Sequence, residues 1–295
     1  MPTIQTPDTR FEFIQDFPYQ PKYIEVNGFR IHYIDEGEGE VILALHGEPT
    51  WSYLYRKFIP TLKEKYRFVS MDFVGFGRSD KLSKVKDYTV KMHFEVLEGF
   101  IRQMSLSDIT LVCQDWGGLL GLSMLGAHPD WFKRVVIMNT ALPTGDQPMP
   151  KAFHVWKRYA RWHPTLPIGG IVKWGSYRKD QFTDEIKKAY DAPFPSSQHK
   201  AGARAFPKLV PMTPDYEAVS YHKRAIAELG QWDKPCVVMF SDKDPIMKPA
   251  RQFFLDLVPT AVNVRIRDAG HFLQEDAGEE IAGYIDEFMQ GSLSV

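Results

Sequence analysis

An aspartate, Asp115, stands at the centre of the run Leu111-Val112-Cys113-Gln114-Asp115-Trp116-Gly117-Gly118. Apolar Ile109 to Val112 reads as a short buried strand, and Gly117 to His128 reads as a helix. Small residues at Cys113, Gly117 and Gly118 permit the sharp turn between them that lifts a nucleophile above a sheet. A carboxylate at this apex changes the chemistry available. A serine that displaced a leaving group from an alkyl carbon would be left as an ether. An aspartate is left as an ester, and water attacking its carbonyl regenerates the acid. Asp115 is therefore expected to attack saturated carbon.

Such a nucleophile needs an acid and a base, and they follow in the order nucleophile, acid, histidine. His271, in Asp268-Ala269-Gly270-His271-Phe272, comes directly after the last strand-like run. That loop would place an imidazole at the carboxyl edge of the sheet, where open α/β sheets keep their sites. Asp244, in Phe240-Ser241-Asp242-Lys243-Asp244-Pro245, follows the strand before it. It is preferred to Asp242 because it sits deeper in the turn. A single strand-end aspartate is usually a turn former, and a single histidine is usually structural; three groups in order, each after its own strand, read as catalytic. The loop His46-Gly47-Glu48-Pro49 follows the third strand-like run. Its Glu48 backbone N–H and that of Trp116 are expected to form an oxyanion hole. The Trp116 indole is a donor with no acceptor capacity, which suits a departing anion. An anion stripped of water needs more than one such donor.

The elements that must hold these groups alternate. Strand-like runs occur at 23–26, 31–34, 41–45, 67–71, 109–112, 134–138, 236–240 and 262–266, with helical patterns such as 92–104 between the later ones. This predicts an α/β fold with a mostly parallel eight-stranded sheet covered by helices on both faces. Asn27-Gly28 between the first two runs reads as a hairpin. From Pro143 to Ala227 the alternation stops, and Pro, Trp, Tyr and helical patterns take over. The expected division is a core domain, 1–142 and 228–295, carrying a helical cap domain at 143–227. The run Gly75-Phe76-Gly77-Arg78-Ser79-Asp80 lacks the third glycine and closing acid of a dinucleotide loop.

Composition narrows the class of molecule. The chain has 295 residues and a net charge of −1, which gives no sign of a nucleic-acid partner. The segment 143–227 holds 14 Lys and Arg against 7 Asp and Glu, leaving −8 for the remainder; solvated helix faces account for this, and an anion-attracting lid is the sharper alternative. Two cysteines exclude a disulfide framework and a cysteine-based zinc site, so no metal is expected. No apolar run approaches membrane-spanning length, and the mostly polar start reads neither as a signal nor as a transit peptide. A cytoplasmic, monomeric enzyme is the expectation.

Three runs make a resemblance specific: His46-Gly47-Glu48-Pro49-Thr50-Trp51-Ser52-Tyr53-Leu54-Tyr55-Arg56, Gln114-Asp115-Trp116-Gly117-Gly118 and Gly270-His271-Phe272-Leu273-Gln274-Glu275. Together with Ala189-Tyr190-Asp191-Ala192-Pro193-Phe194-Pro195, they resemble the haloalkane dehalogenases of the α/β-hydrolase superfamily. The resemblance implies the α/β-hydrolase fold and hydrolysis of a haloalkane to a primary alcohol, halide ion and proton without a cofactor. One branch of that family uses an asparagine at position 48 as second halide donor. This chain has Glu48, whose carboxylate would repel a halide, so it resembles the branch that uses a cap tryptophan. Phe153-His154-Val155-Trp156 matches that branch and points to Trp156; Trp162 and Trp174 compete for the role. The acid of the first branch follows the sixth strand, where this chain reads Asn139-Thr140-Ala141-Leu142, and Asp244 remains. Phe153, Phe194, Phe206 and Phe272 are expected to line an apolar chamber. An epoxide hydrolase, using Tyr159, Tyr177 or Tyr190 of the cap, is the nearest rival. A haloacid dehalogenase would want arginines near the nucleophile, and a non-catalytic ligand receptor is the alternative from another class.

Overall fold

The computed structural model describes residues 2–293. Its main sheet is built from β1 (Lys22–Val26), β2 (Phe29–Glu36), β3 (Val41–Leu45), β4 (Arg67–Met71), β5 (Ile109–Gln114), β6 (Phe132–Met138), β7 (Cys236–Ser241) and β8 (Val262–Ile266). Across the sheet the order is β8-β7-β6-β5-β3-β4-β2-β1. Pairing is parallel from β8 to β4, and only β2 and β1 run antiparallel to their neighbours. Asn27 and Gly28 both adopt positive φ, 52° and 77°, and set Val26 opposite Phe29 in the expected hairpin. The strands β5 and β7 are buried at all six positions, as parallel strands covered on both faces must be. A separate antiparallel ribbon, Thr3–Ile4 with Lys81–Leu82, has no sequence periodicity to announce it, since each arm is two residues long.

Apart from a single turn at Ile59–Leu62, the α-helices are α1 (Val90–Gln103), α2 (Trp116–Ala127), α3 (Lys151–Trp162), α4 (Ile168–Gly175), α5 (Asp184–Asp191), α6 (Ala201–Leu209), α7 (Ala218–Leu229), α8 (Ala250–Leu257) and α9 (Leu273–Met289). The residues Trp116 to Gly126 of α2 are all buried, which explains why this helix is apolar around its whole circumference. It lies between the sheet and α7, where a Cβ on Gly126 would fall 2.6 Å from the Cα of Ala225. The boundary placed at 227 therefore falls inside a helix that leans on the core. No helix among the described residues is long and apolar enough to cross a membrane.

The glycine run after β4 has a structural explanation. Buried Asp72 accepts hydrogen bonds from Ser52 N at 2.7 Å and Arg78 N at 2.8 Å, and pairs with His32 Nδ1 at 2.7 Å. The loop wraps this carboxylate so closely that a Cβ on Gly77, at φ 48°, would lie 1.9 Å from Asp72 Oδ2. The same tightness recurs at the start of α2, where a Cβ on Gly117 would meet the Leu45 carbonyl oxygen at 2.0 Å. A Gly117→Ala variant should therefore lose about 3 kcal/mol, as overpacking against backbone does. The half-buried Gly283 of α9 has nothing among the described residues within 4 Å of its would-be Cβ, and Gly283→Ala should gain about 0.5–1 kcal/mol. Urea unfolding curves of the two variants compare these effects, and equal midpoints would refute the crowding.

Candidate active site

Asp115 sits between β5 and α2 with φ 51° and ψ −122°, a conformation that a non-glycine residue keeps only when its surroundings enforce it. Here they do. Its N–H donates to the Asn139 carbonyl at 3.1 Å, and its carbonyl accepts from Thr140 Oγ1 at 2.7 Å. From the β3 side, a Cβ on Gly47 would land 2.5 Å from the Asp115 Cβ, so only glycine fits there. The Glu48 amide then reaches Asp115 Oδ1 at 2.7 Å.

The loops after β7 and β8 bring the other two groups to the same edge. His271 Nδ1 lies 2.8 Å from Asp244 Oδ2, and His271 Nε2 lies 3.6 Å from Asp115 Oδ2. The remaining Asp244 oxygen accepts from the amides of Ile246 at 2.7 Å and Met247 at 3.1 Å. Burial pushes the Asp244 carboxyl up, but His271 and these amides prevail and hold it below the usual carboxylate range. Burial likewise opposes a charge on His271, yet the Asp244 and Asp115 carboxylates outweigh it and hold the imidazole up to about 10. Asp242 turns away and pairs with Lys243 at 3.0 Å.

Three positioning groups escaped the sequence reading. Asn139, considered there only for its lack of a carboxylate, ties the loops together. Its amide donates to Ser241 Oγ at 2.7 Å, Gly270 O at 3.0 Å and His271 O at 3.1 Å. Asp276 accepts from the amides of Gly270 at 2.8 Å, Arg178 at 2.7 Å and Tyr177 at 2.9 Å, joining the histidine loop to the helical insertion. Gln114 Nε2 stands 3.3 Å from His271 Nε2. A polar residue at the end of β6 was the available signal for Asn139; nothing local marked the other two.

Above the carboxylate lies a cavity of about 820 Å³, lined among others by Glu48, Asp115, Trp116, Phe153, Trp156, His271 and Phe272. Two of the four expected phenylalanines are elsewhere. Phe206 is fully buried behind the chamber, packed 4.4 Å from the Trp116 ring and 4.7 Å from Phe76. Phe194 is buried against Phe76. Phe206 thus forms the wall behind the Trp116 ring, and Phe194 lies against Phe76. Of the competing tryptophans, Trp162 is 69% exposed on an outer groove and Trp174 is 67% exposed at the chamber mouth. Trp156, half-buried, faces inward beside Glu48. The cap tyrosines do not converge on the chamber. Tyr190 is buried and donates to Glu275, Tyr159 lies outside the lining on α3, and only Tyr177 reaches the mouth.

Fold and site together define an α/β hydrolase with an aspartate at the elbow, and residues 40–278 match the alpha/beta hydrolase fold family. The chain is 42% identical to a haloalkane dehalogenase of Mycobacterium marinum, over 96% of this chain and 98% of that one. It is 41% identical to another from Mycolicibacterium paratuberculosis, over 99% and 100% of the two chains. The solved tetrameric haloalkane dehalogenase DpaA of Paraglaciecola agarilytica superposes with a TM-score of 0.89 at 37% identity, covering 96% of this chain and 97% of that one. The chain belongs to the haloalkane dehalogenase family.

The raised pKa of His271 makes stability depend on pH. An unfolded histidine titrates near about 6.5; the folded one keeps its proton up to about 10. The contribution of His271 is therefore complete below about pH 6.5 and is lost as pH rises toward about 10. Urea unfolding of wild type and His271→Gln should show a stability gap that narrows across this window. A gap that does not change with pH would contradict the ion-pair account.

Proposed function

We propose that the chain hydrolyses haloalkanes with Asp115 as nucleophile, His271 as base and Asp244 as the acid that orients it. The observation that carries this reading is the placement of one carboxylate between two agents. Asp115 Oδ1 receives the Glu48 amide at 2.7 Å, while Oδ2 faces His271 Nε2 at 3.6 Å. In the first step an Asp115 oxygen attacks the carbon bearing the halogen, and the carbon–halogen bond breaks with its electron pair leaving on the halide. The Trp116 and Trp156 indoles, both in the chamber lining, are the proposed halide donors. Alkylation turns Asp115 into a neutral ester and removes one of the two carboxylates that hold the proton on His271. The imidazolium then gives its proton to solvent, which is the proton the reaction releases, and becomes a base as the intermediate forms. It takes a proton from water, whose oxygen attacks the ester carbonyl. The Glu48 and Trp116 amides stabilise the resulting oxyanion. Collapse breaks the bond to the alkoxy oxygen, which takes the proton left on the attacking water's oxygen, so that a primary alcohol leaves, Asp115 is again a carboxylate and His271 an imidazolium. The segment 143–217, which covers the chamber, is the proposed cap, with α7 counted with the core by its packing.

Replacing His271 by Gln should leave alkylation possible and stop hydrolysis. With a bromoalkane, mass spectrometry of the variant should find Asp115 carrying the alkyl group. An unmodified chain, with wild type releasing bromide, would remove the division of roles. With matched substrates, diol formation from an epoxide without halide release would favour the epoxide reading, which the outward and buried tyrosines do not support.

Self-association is the proposed state, in place of the monomer expected from sequence. The similar chain DpaA is tetrameric, and Trp162, Trp174 and Val155 lie two-thirds exposed on the helical insertion. Size-exclusion chromatography with light scattering should give a mass above 34.0 kDa; a monomer mass at micromolar concentration would restore the original expectation.

A further inference from the structure

Helix α3 has two sides of different character. Phe153 and Trp156 contribute to the chamber lining, and Ala160 is buried. The outer side is uncovered. Val155, Tyr159 and Trp162, spaced i, i+4 and i+7, fall on one stripe and are 66%, 37% and 69% exposed. His154, Arg158 and Arg161 repeat the same spacing one residue earlier, and all three are exposed. A cationic stripe therefore runs directly beside the apolar one.

The charge on this side is of one sign. His154, Lys157, Arg158, Arg161 and Trp162 of α3, with Lys208 of α6, surround an outer groove of about 490 Å³. The stretches 147–179 and 192–214, which contain the two helices, have no Asp or Glu. Among the described residues, the two lysines and two arginines of the groove make no ion pair; Arg161 lies over the Trp162 ring at 4.8 Å. Partial burial and the Lys208 ammonium hold the Lys157 pKa below the usual lysine value, as crowded like charges do. The fold nevertheless keeps the groove together. The Arg204 guanidinium of α6 donates to the carbonyls of Ala160 at 3.0 Å and His163 at 2.8 Å, which ties α6 to the end of α3.

A small soluble anion would use the cations and leave the apolar stripe without purpose. A second copy seated stripe on stripe about a two-fold axis would set cation against cation. An anionic bilayer surface satisfies both stripes. Its headgroup phosphates meet the cations, and its interfacial layer receives Val155, Tyr159 and Trp162. We propose that the outer face of α3, with Lys208, docks on a membrane surface rich in anionic phospholipid. The contact is peripheral, and it leaves Trp174, on α4, as the exposed aromatic for contact between copies. Because the inner side of α3 lines the chamber, docking brings the chamber roof toward the apolar phase in which haloalkanes concentrate. That consequence, unlike the docking, rests on the haloalkane reading.

The test uses the full chain with vesicles of phosphatidylcholine alone or with about one-third phosphatidylglycerol, read by co-sedimentation at low salt. Binding to the anionic vesicles should be about tenfold tighter or more, and should fall as salt is added. Arg158→Gln with Arg161→Gln should weaken it about tenfold or more, since each cation at an anionic surface contributes about fivefold. Arg265→Gln with Arg267→Gln removes two exposed cations at and just after the edge strand β8 and should change binding less than about threefold. A nitroxide carried on the lipid headgroup should quench tryptophan fluorescence of wild type, and Trp162→Phe should lose most of that quenching while still sedimenting. Equal binding to both vesicle types, equal loss in the two double variants, or unchanged quenching in Trp162→Phe overturns the proposal. So does an Arg158/Arg161 variant that binds vesicles like wild type but elutes at a smaller mass, because the face would then belong to a second copy. Should that variant not fold, the lipid preference and the quenching still decide. Turnover of a bromoalkane without vesicles tests the haloalkane reading separately.

Discussion

The forced backbone of Asp115 is the constraint on which the remaining structure depends. A φ of 51° on a side-chain-bearing residue costs on the order of 1–3 kcal/mol and persists only if its neighbours permit nothing else. The neighbours come from the two strands that flank β5 and from the start of α2. Gly47 after β3 presses on its Cβ, Asn139 and Thr140 after β6 hold its N–H and carbonyl, and Gly117 lets α2 start directly under the Leu45 carbonyl. The elbow is thus not a local turn. It is the point where two neighbours of β5 in the sheet agree on one backbone position.

Electrostatics builds on that position. A buried site with two carboxylates and one imidazole is stable as a resting state because the imidazolium stands between them. In the proposed mechanism the same arrangement makes the second chemical step conditional on the first, since alkylation cancels one carboxylate. The aromatic and apolar lining, with Phe153, Phe272 and the Phe206 wall behind Trp116, keeps water from screening these terms. Asp276 and the Gly175 carbonyl, which accepts from the His271 amide at 2.8 Å, fasten the helical insertion to the loop that carries His271. A Cβ on Gly270 would lie 2.3 Å from that carbonyl oxygen, so glycine before the histidine is a packing requirement.

Much of this was legible along the chain. The eight strands, the Asn27-Gly28 hairpin and the order Asp115, Asp244, His271 each follow from short-range pattern: apolar runs, turn residues, and a polar group after each run. What failed to read was long-range. Phe194 and Phe206 have the composition of chamber walls but lie one layer further back. The run at 75–77, excluded as a dinucleotide loop by its spacing, gave no sign of its actual work: Gly77 wraps the buried Asp72 and Gly75 packs against Tyr88 and Gly202. Asn139 bonds to groups more than 100 residues away.

By itself, then, the sequence determined the type of reaction, because a carboxylate at an elbow can leave only a hydrolysable ester, and it determined the order of strands that deliver the partners. Only the tertiary structure decided which aromatic faces the chamber, which polar groups hold the histidine loop, and what surrounds Glu48. The physical reason is that a side chain's chemical type is local, whereas its burial and its electrostatic partners are set by every element packed against it. Glu48 is the clearest case: an acid in the sequence, and in the fold a buried group set between the Asp115 carboxylate and the His271 imidazole.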